Sequence, residues 1–447
     1  MTRLSRRNFL TYAGGAFATS FLLKGCLGNP PGFAQVKEPV APPDFEAAKT
    51  LETNTVVLGY LPILEAAPLI VASEKGFFAK YGMLEAKVAK QANWGSARDN
   101  VEIGSAGGGI DGGQWQMPMP YLIHQGLITK GKKPIPMALL LQLNTQANGI
   151  AIAGHLRNEN LGLDLSNNKG LFSQLKSSQK TFKAAYTFPK ANQEFWLRYW
   201  LAAGGIDPET EVELLTVPAA QTVANMKTGT MDAFSTGDPW PYRIVQDQVG
   251  YLSMLTAQMW PFHPEEYLAL RADWIAQNPK ATQAVLMAIM DAQRWCDDFA
   301  NREELAIMLS SRNYFGTRPE VLRGPLAGTY DMGNGQVLDD PKYAPYYWQD
   351  PRGSVSYPYQ SHDLWFLTES VRWGFLPPET LDRATEIIAE VNREDLWRQA
   401  AQTMGVPASE IPTSTSRGVE TFFDGVTFDP KDPKAYLRSL EIKTVKI

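Results

Sequence analysis

Thr55-Val56-Val57-Leu58-Gly59-Tyr60, then Glu65-Ala66-Ala67-Pro68 with the apolar run Leu69 to Lys80, then Glu85 to Val88: this stretch decides the fold. The first six residues form a β-branched apolar run of buried-strand length. Pro68 suits the first turn of a helix, where its missing N–H is harmless. Gly76 and Gly82 punctuate the end of that helix. The second strand, at Glu85 to Val88, completes a βαβ unit, which predicts a parallel sheet with helices on its faces.

A second series lies further on. Lys183 to Thr187 reads as a strand, Gln193 to Ala203 as an amphipathic helix closed by Gly204-Gly205, and Glu213 to Val217 as a strand. Gln221 to Lys227 is a helix, and Met231 to Ser235 is a strand running into Thr236-Gly237-Asp238-Pro239-Trp240. Tyr267 to Leu270 is a short strand, and Pro279 to Trp295 a helix. Two α/β series predict two lobes with the chain crossing between them more than once. The expected boundaries fall near Asn148 and Trp260, giving lobe I from 53–147 and 261–447 and lobe II from 148–260. Beyond Arg302 the chain is rich in Tyr, Trp and Pro, includes a helix from Ala384 to Met404, and is expected to wrap lobe I. Gly107-Gly108-Gly109 and Asp111-Gly112-Gly113 lack the Lys-Ser/Thr of a phosphate cradle, so they read as a close backbone approach in a hinge or cleft wall.

At the N-terminus, Ser5-Arg6-Arg7-Asn8-Phe9-Leu10 is a twin-arginine export signal. The apolar run Leu10 to Leu23 and then Leu23-Lys24-Gly25-Cys26 predict a lipoprotein signal peptide over 1–25, cut before a lipid-bearing Cys26. The run falls short of the roughly 20 residues that span a bilayer. Residues 26–52, rich in Pro, Ala and Gly, are expected to be a lipidated flexible tether. The chain is thus expected on the periplasmic face of the inner membrane. The other cysteine, Cys296, is left without a partner and reads as a buried core thiol.

The formal net charge is −5. The leader holds four basic residues (Arg3, Arg6, Arg7, Lys24) and no acidic one, so the remainder carries −9. Such a body repels nucleic acid and anionic headgroups, and any anion must be held by a local site. His124, His155, His263 and His362 show no metal-ligand pairing, and HExxH, CxxC, GxxxxGK[ST] and GxSxG are absent from the sequence. Ordinary zinc, nucleotide and serine-hydrolase chemistry is unsupported.

Ligands of open α/β sheets gather at the carboxyl ends of strands, beside helix N-termini. Four segments answer that description: 91–99 around Trp94, 187–193 from Thr187 to Gln193, 236–241 around Gly237-Asp238-Pro239-Trp240, and 261–267 with His263, Glu265 and Glu266. Each has a plainer reading: Trp94 and Trp240 as core, Asp238 as a cap, Glu265-Glu266 as a solvated pair, Gln193 as a first-turn residue.

These segments resemble the solute-binding lipoproteins of cyanobacterial nitrate and bicarbonate ABC transporters. The resemblance rests on Leu58-Gly59-Tyr60, Ala66-Ala67-Pro68-Leu69-Ile70, Glu74 to Gly82 and Gly237-Asp238-Pro239-Trp240-Pro241. It continues through Ser361-His362-Asp363, Val391 to Trp397 and Gly418 to Gly425. It implies an α/β, two-lobe periplasmic-binding fold of type II-like form with the ligand between the lobes, no catalysis, permease and ATPase partners, and a monomer. Ala92-Asn93-Trp94, Gly112 to Pro120 and Asn192-Gln193 are similar to the bicarbonate branch. The nitrate branch has histidine at the position of Gln193 and lysine at that of Glu266. The resemblance places Trp94, Asn148, Thr187, Gln193, Gly237 and Glu266 in the cleft, with Ca²⁺ as co-ligand. Glu266 is expected as the metal carboxylate, Thr187 and Gln193 as oxygen ligands or direct hydrogen-bond partners, and Trp94 with the backbone around Gly237 as the groups orienting the anion.

Charge supports that expectation. A lysine meets a planar monoanion head-on. A glutamate at about 4 Å repels it by roughly 4 kcal/mol at an effective dielectric near 20, so a pocket built on Glu266 needs a cation, and oxygen ligands fit Ca²⁺. Lys190, turned inward, would neutralise Glu266 and admit nitrate without metal. The rival readings are a nitrate or nitrite receptor, a two-lobe enzyme related to the pyrimidine-precursor synthases, with His263 as the one histidine of the cleft segments, and a sensor subunit.

Overall fold

The computed structural model describes residues 40–446. The expected signal peptide, the lipid-bearing Cys26 and the first part of the tether lie outside the described residues. Ten strands make two five-stranded sheets. They are β1 (Val57–Tyr60), β2 (Lys87–Lys90), β3 (Gly112–Gln116), β4 (Met137–Gln142), β5 (Asn148–Ala153), β6 (Phe182–Tyr186), β7 (Val212–Thr216), β8 (Ala233–Gly237), β9 (Gly250–Leu255) and β10 (Glu266–Arg271). The first sheet runs β2-β1-β3-β10-β4 and the second β7-β6-β8-β5-β9.

Neither sheet is wholly parallel, a correction to the βαβ expectation. β1 is parallel to β2 and β3, but β10 is antiparallel to β3 and β4. Likewise β6 is parallel to β7 and β8, while β5 is antiparallel to β8 and β9. The cause is the crossing. The chain leaves the first sheet after β4 and the second after β9, so β5 and β10 set out from the edge at which β1, β3, β6 and β8 finish. This brings the first residues of β5 and β10, Asn148 and Glu266, to the carboxyl ends of the parallel strands.

Alternation assigns the faces. Leu139, Tyr267 and Ala269 pack in one cluster, and Ala138, Leu140, Leu268 and Leu270 in another with the helices Ala67–Glu74 and Pro279–Asp297. β4 is buried on both faces, which explains its unbroken Met-Ala-Leu-Leu-Leu. In the second sheet Ile150, Ile152 and Ala184 face the helix Asn192–Ala203, whereas Ala151, Ala185 and Phe234 face the helix Trp240–Gln246.

Of the glycine-rich segment, Gly112 and Gly113 open β3, and Gly107 ends a 3-10 turn before it. Gly113 has φ 149°, and a Cβ there would lie 2.0 Å from the Gly59 carbonyl oxygen. Both the positive φ and the strand contact demand glycine. Gly113→Ala should therefore cost at least about 3 kcal/mol of stability, measured by chemical denaturation; a loss below 1 kcal/mol would contradict the close approach.

Several boundaries differ from expectation. The run Leu69 to Lys80 is two helices, Ala67–Glu74 and Phe77–Lys80, parted at Gly76 with φ 78°. Ala384 to Met404 is also two, Ala384–Val391 and Glu394–Thr403. The amide of Asn392 between them is spent on the Pro358 carbonyl (2.9 Å) and Asp363 (2.6 Å). Residues 40–52, expected as tether, lie on the body. Val40 and Asp44 donate to the carbonyls of Lys75 and Ala79, and the Glu52 carboxylate accepts from the N–H groups of Lys280 and Ala281 at 3.1 Å, at the start of a long helix.

The C-terminal part does more than wrap the first sheet. Leu252 of β9 donates to the Met332 carbonyl, Tyr330 donates to Asp238 at 2.7 Å, and Phe423 donates to the Met259 carbonyl. It straddles both sheets and the crossover between them. Cys296 is a buried thiol whose titration burial pushes up. Among the described residues no helix is long and apolar enough to cross a membrane.

Candidate functional site

The carboxyl ends of the two sheets hold a cluster of buried carboxylates. Glu65, Glu265 and Glu266 are each 0 % exposed, and one oxygen from each lies within 4.8 Å of the others. Glu65 follows β1, Glu265 closes the second crossover and Glu266 opens β10. Among the described residues no lysine or arginine pairs with any of the three; the one basic side chain within ion-pair distance is His263, 3.4 Å from Glu265, and desolvation keeps that ring neutral.

Burial pushes the Glu65 carboxyl well above the usual range, and the neighbouring Glu266 and Glu265 raise it further. Burial raises Glu265 likewise, with Glu266 adding to it. Glu266 is raised by burial and partly held down by the Gln114 hydrogen bond. Asp238 nearby is pushed up to about 7 by burial, against the hydrogen bond from Tyr330. Three buried acids without a cationic partner are costly unless protonated or joined by a cation.

Their hydrogen bonds divide them. Glu265 is fully engaged: it accepts from Asn148 and Asn192 at 2.6 Å each, and from the Trp196 indole at 3.1 Å. Glu65 accepts from Asn148 at 3.1 Å through Oε1, but its Oε2 has no protein partner. Glu266 accepts from Gln114 at 2.5 Å through Oε2, and its Oε1 likewise has none. Within the trio the carboxylate oxygens free to bind a hard cation thus belong to Glu65 and Glu266, and Asp238 Oδ1 nearby is likewise unpartnered.

A second group adjoins. Thr187 opens the loop after β6, and Gln193 sits in the first turn of the helix Asn192–Ala203. The Thr187 hydroxyl donates to Gln193 Oε1 and accepts from Gln116 Nε2 of β3 at 2.9 Å. Trp94 opens the helix Trp94–Ile103, capped by the Asn93 side chain on the Ser96 N–H. The Trp94 indole Nε1, Gln193 Nε2 and Asn148 Oδ1 are buried with no protein partner. The two nitrogens are orphaned donors of the kind an anion takes up, while Asn148 Oδ1 is an orphaned acceptor.

Gly237 pairs with Asn148 across β8 and β5, and a Cβ on it would lie 2.6 Å from Glu65 Oε1. Gly237→Ala should displace Glu65 at a cost of about 1–3 kcal/mol, seen as a lowered melting temperature and weaker metal binding together. A variant matching the wild type in both would show that the contact yields freely. Hydrogen bonds from Leu64 to the Asp238 carbonyl (2.8 Å) and from the Trp240 indole to the Pro62 carbonyl (2.9 Å) join the two sides.

All six cleft residues expected from the sequence are buried here. Asn148, Gly237 and Glu266 meet at the carboxylate cluster, and Thr187 and Gln193 form the adjoining chain. The solvated-pair reading of Glu265-Glu266 is corrected, since both are wholly buried. Trp240 is engaged with Pro62 as a structural contact. Lys190 does not neutralise Glu266: its ammonium lies 5.7 Å from the centroid of the Phe375 ring. His263 is buried and held down to about 4 by desolvation. Its Nδ1 faces the Pro264 carbonyl at 2.9 Å and its Nε2 the Thr256 hydroxyl at 2.8 Å, so the neutral ring is engaged at both nitrogens.

Sequence reasoning missed Glu65, Gln114 and Gln116. Glu65 carried a readable signal. It is the lone charge in Leu61-Pro62-Ile63-Leu64-Glu65-Ala66-Ala67-Pro68, between a strand and a helix. A charge there is either buried for a purpose or misplaced.

Residues 49–310 match the NMT1-like family. The chain is 54 % identical to the bicarbonate-binding protein CmpA of Synechococcus elongatus, over 98 % of each chain. It is 48 % identical to the periplasmic nitrate-binding protein NrtA from Synechocystis in its crystal structure, with a TM-score of 0.84, covering 88 % of this chain and 100 % of that one. It is also 31 % identical to the bicarbonate transport ATP-binding protein CmpC of Synechococcus elongatus, covering 88 % of this chain and 56 % of that protein.

Proposed function

Because the chain belongs to the NMT1-like family, among the solute-binding proteins of nitrate and bicarbonate ABC transporters, we propose that it captures bicarbonate together with Ca²⁺ and hands it to a permease. It is a two-lobe binding protein, not an enzyme. The observation that carries the ligand reading is the buried trio Glu65, Glu265 and Glu266, with one unpartnered oxygen on each of Glu65 and Glu266. In its ionised form this cluster repels a planar monoanion unless a cation joins them.

Glu65 and Glu266 would hold the ion, and Glu265 stays with its three nitrogen donors. The ion would supply the positive charge that makes an anion tolerable there. The Thr187 hydroxyl is already committed to two amides, which favours Thr187 and Gln193 as hydrogen-bond partners of the anion rather than as metal ligands. Gln193 Nε2 and the Trp94 indole donate to the anion, and the Gly237 backbone leaves room for Glu65. Metal and anion then bind as a linked pair, each strengthening the other.

The protein is proposed to act on the periplasmic face of the inner membrane, anchored by lipid on Cys26, with permease and ATPase subunits as partners. Isothermal titration with bicarbonate and with nitrate, each with Ca²⁺ and with chelator, tests the reading. Bicarbonate binding that vanishes with chelator is expected. Nitrate binding indifferent to chelator would replace it with the nitrate reading.

A further inference from the structure

We propose that the Thr187 hydroxyl, shared by the side-chain amides of Gln116 and Gln193, is the selectivity element of the site: it obliges the two amides to turn opposite polarities outward, which fits an anion carrying its own proton. This rests on the bicarbonate reading above and adds what discriminates bicarbonate from nitrate, with Gln116 as a specificity residue.

The argument is a proton count. Gln116 and Gln193 are 0 % exposed and Thr187 is 4 % exposed. A threonine hydroxyl has one proton. Between two amides it donates to the carbonyl of one and accepts from the NH₂ of the other. Here it donates to Gln193 and accepts from Gln116. The far ends, Gln193 Nε2 and Gln116 Oε1, are buried without a protein partner. Turning both amides over reverses which glutamine shows which end, yet one NH₂ and one carbonyl still face outward. The count therefore holds for either orientation of the pair, as long as the hydroxyl donates to one amide and accepts from the other, as it does here.

A guest that satisfies both ends must accept at one and donate at the other. Bicarbonate does so, through a carboxylate oxygen and its O–H. Nitrate has only acceptors, so it leaves a buried carbonyl unpaired, at a cost of about tenfold or more in affinity. The relay is also split between the sheets: Gln116 comes from β3, Thr187 and Gln193 from the segment after β6. The polarity is fixed only when the two sides meet.

The test is titration of bicarbonate, nitrate and formate at saturating Ca²⁺ into the wild type, Gln116→Met and Thr187→Val. Formate serves as a second planar acceptor-only anion. In the wild type bicarbonate should bind more tightly than either. In both variants the bicarbonate-to-nitrate affinity ratio should fall at least about tenfold, because the remaining amides turn freely. A loosened site would weaken all three anions alike and leave the ratio unchanged. An unchanged ratio in variants that still bind bicarbonate overturns the relay. A wild type that binds no bicarbonate overturns the functional reading itself. The isosteric Thr187→Val carries the test should Gln116→Met fold poorly.

Discussion

Glu266→Lys should abolish the calcium requirement and admit nitrate. The loss of calcium affinity should exceed the roughly 10–100-fold typical of removing a mere supporting partner of a ligand, because one of the trio's two unpartnered carboxylate oxygens disappears. In its place an ammonium enters beside Glu65 and Glu265. The formal charge of the trio drops from three negatives to one, and the lysine can meet a planar anion directly. Titration of calcium, then of nitrate with and without chelator, reads both effects. Nitrate should now bind equally well in either condition. Should the variant keep the calcium dependence of the wild type, Glu266 is not part of the metal site.

The second large effect is on stability. In an unfolded chain Glu residues titrate near 4.3. In the fold Glu266 is raised to about 8 by burial, and Glu65 and Glu265 are raised in the same direction. Between those values the folded state holds protons that the unfolded state has lost. The trio's contribution to the stability of the metal-free protein is therefore full at acid pH and declines as pH rises toward the folded values. Other groups work the other way. Against the burial that would raise it, Glu420 is held down to about 2 by His362 and Arg352, and contributes stability that is lost as pH falls below the ordinary carboxylate range. Burial lowers His263 and His362 to about 4, so their contribution grows as pH rises to about 6.5 and then stays level.

The window from pH 6.5 to 8 is free of that offset. Across it each acid that still holds its proton in the fold should lose up to about 2 kcal/mol of stabilisation. In the proposed site calcium would take over the negative charge, so the stabilisation it gives should be largest at pH 8. Melting temperatures in chelator and in calcium at pH 5, 6.5 and 8 measure this. A metal-free protein as stable at pH 8 as at 6.5 would mean the trio ionises without penalty.

The sequence was most legible where chemistry and periodicity coincide. Pro68, the strand before it and the helix beginning near Gln193 announce a two-lobe α/β body. Strand ends then single out Thr187, Gln193 and Gly237. Glu266 came from the family resemblance rather than from spacing. The antiparallel strands were hidden because β4 and β5 abut across five residues, so their joint apolar run masks a change of sheet. β3 was hidden because its glycines are depleted in strands as a class, while at Gly113 the neighbouring backbone requires one. Gln116 was invisible because its role depends on a hydroxyl 71 positions away. Such pairings are set by sheet order, which local patterning does not encode.

The lone thiol of Cys296 has a consequence for biogenesis. Nothing in the described body waits for an oxidising compartment, since no cross-link has to close before the core packs. The polypeptide can reach its finished shape where it is synthesised. That suits a translocation route that moves completed proteins instead of threading extended ones, and it leaves capture of the divalent ion as a step for the far side.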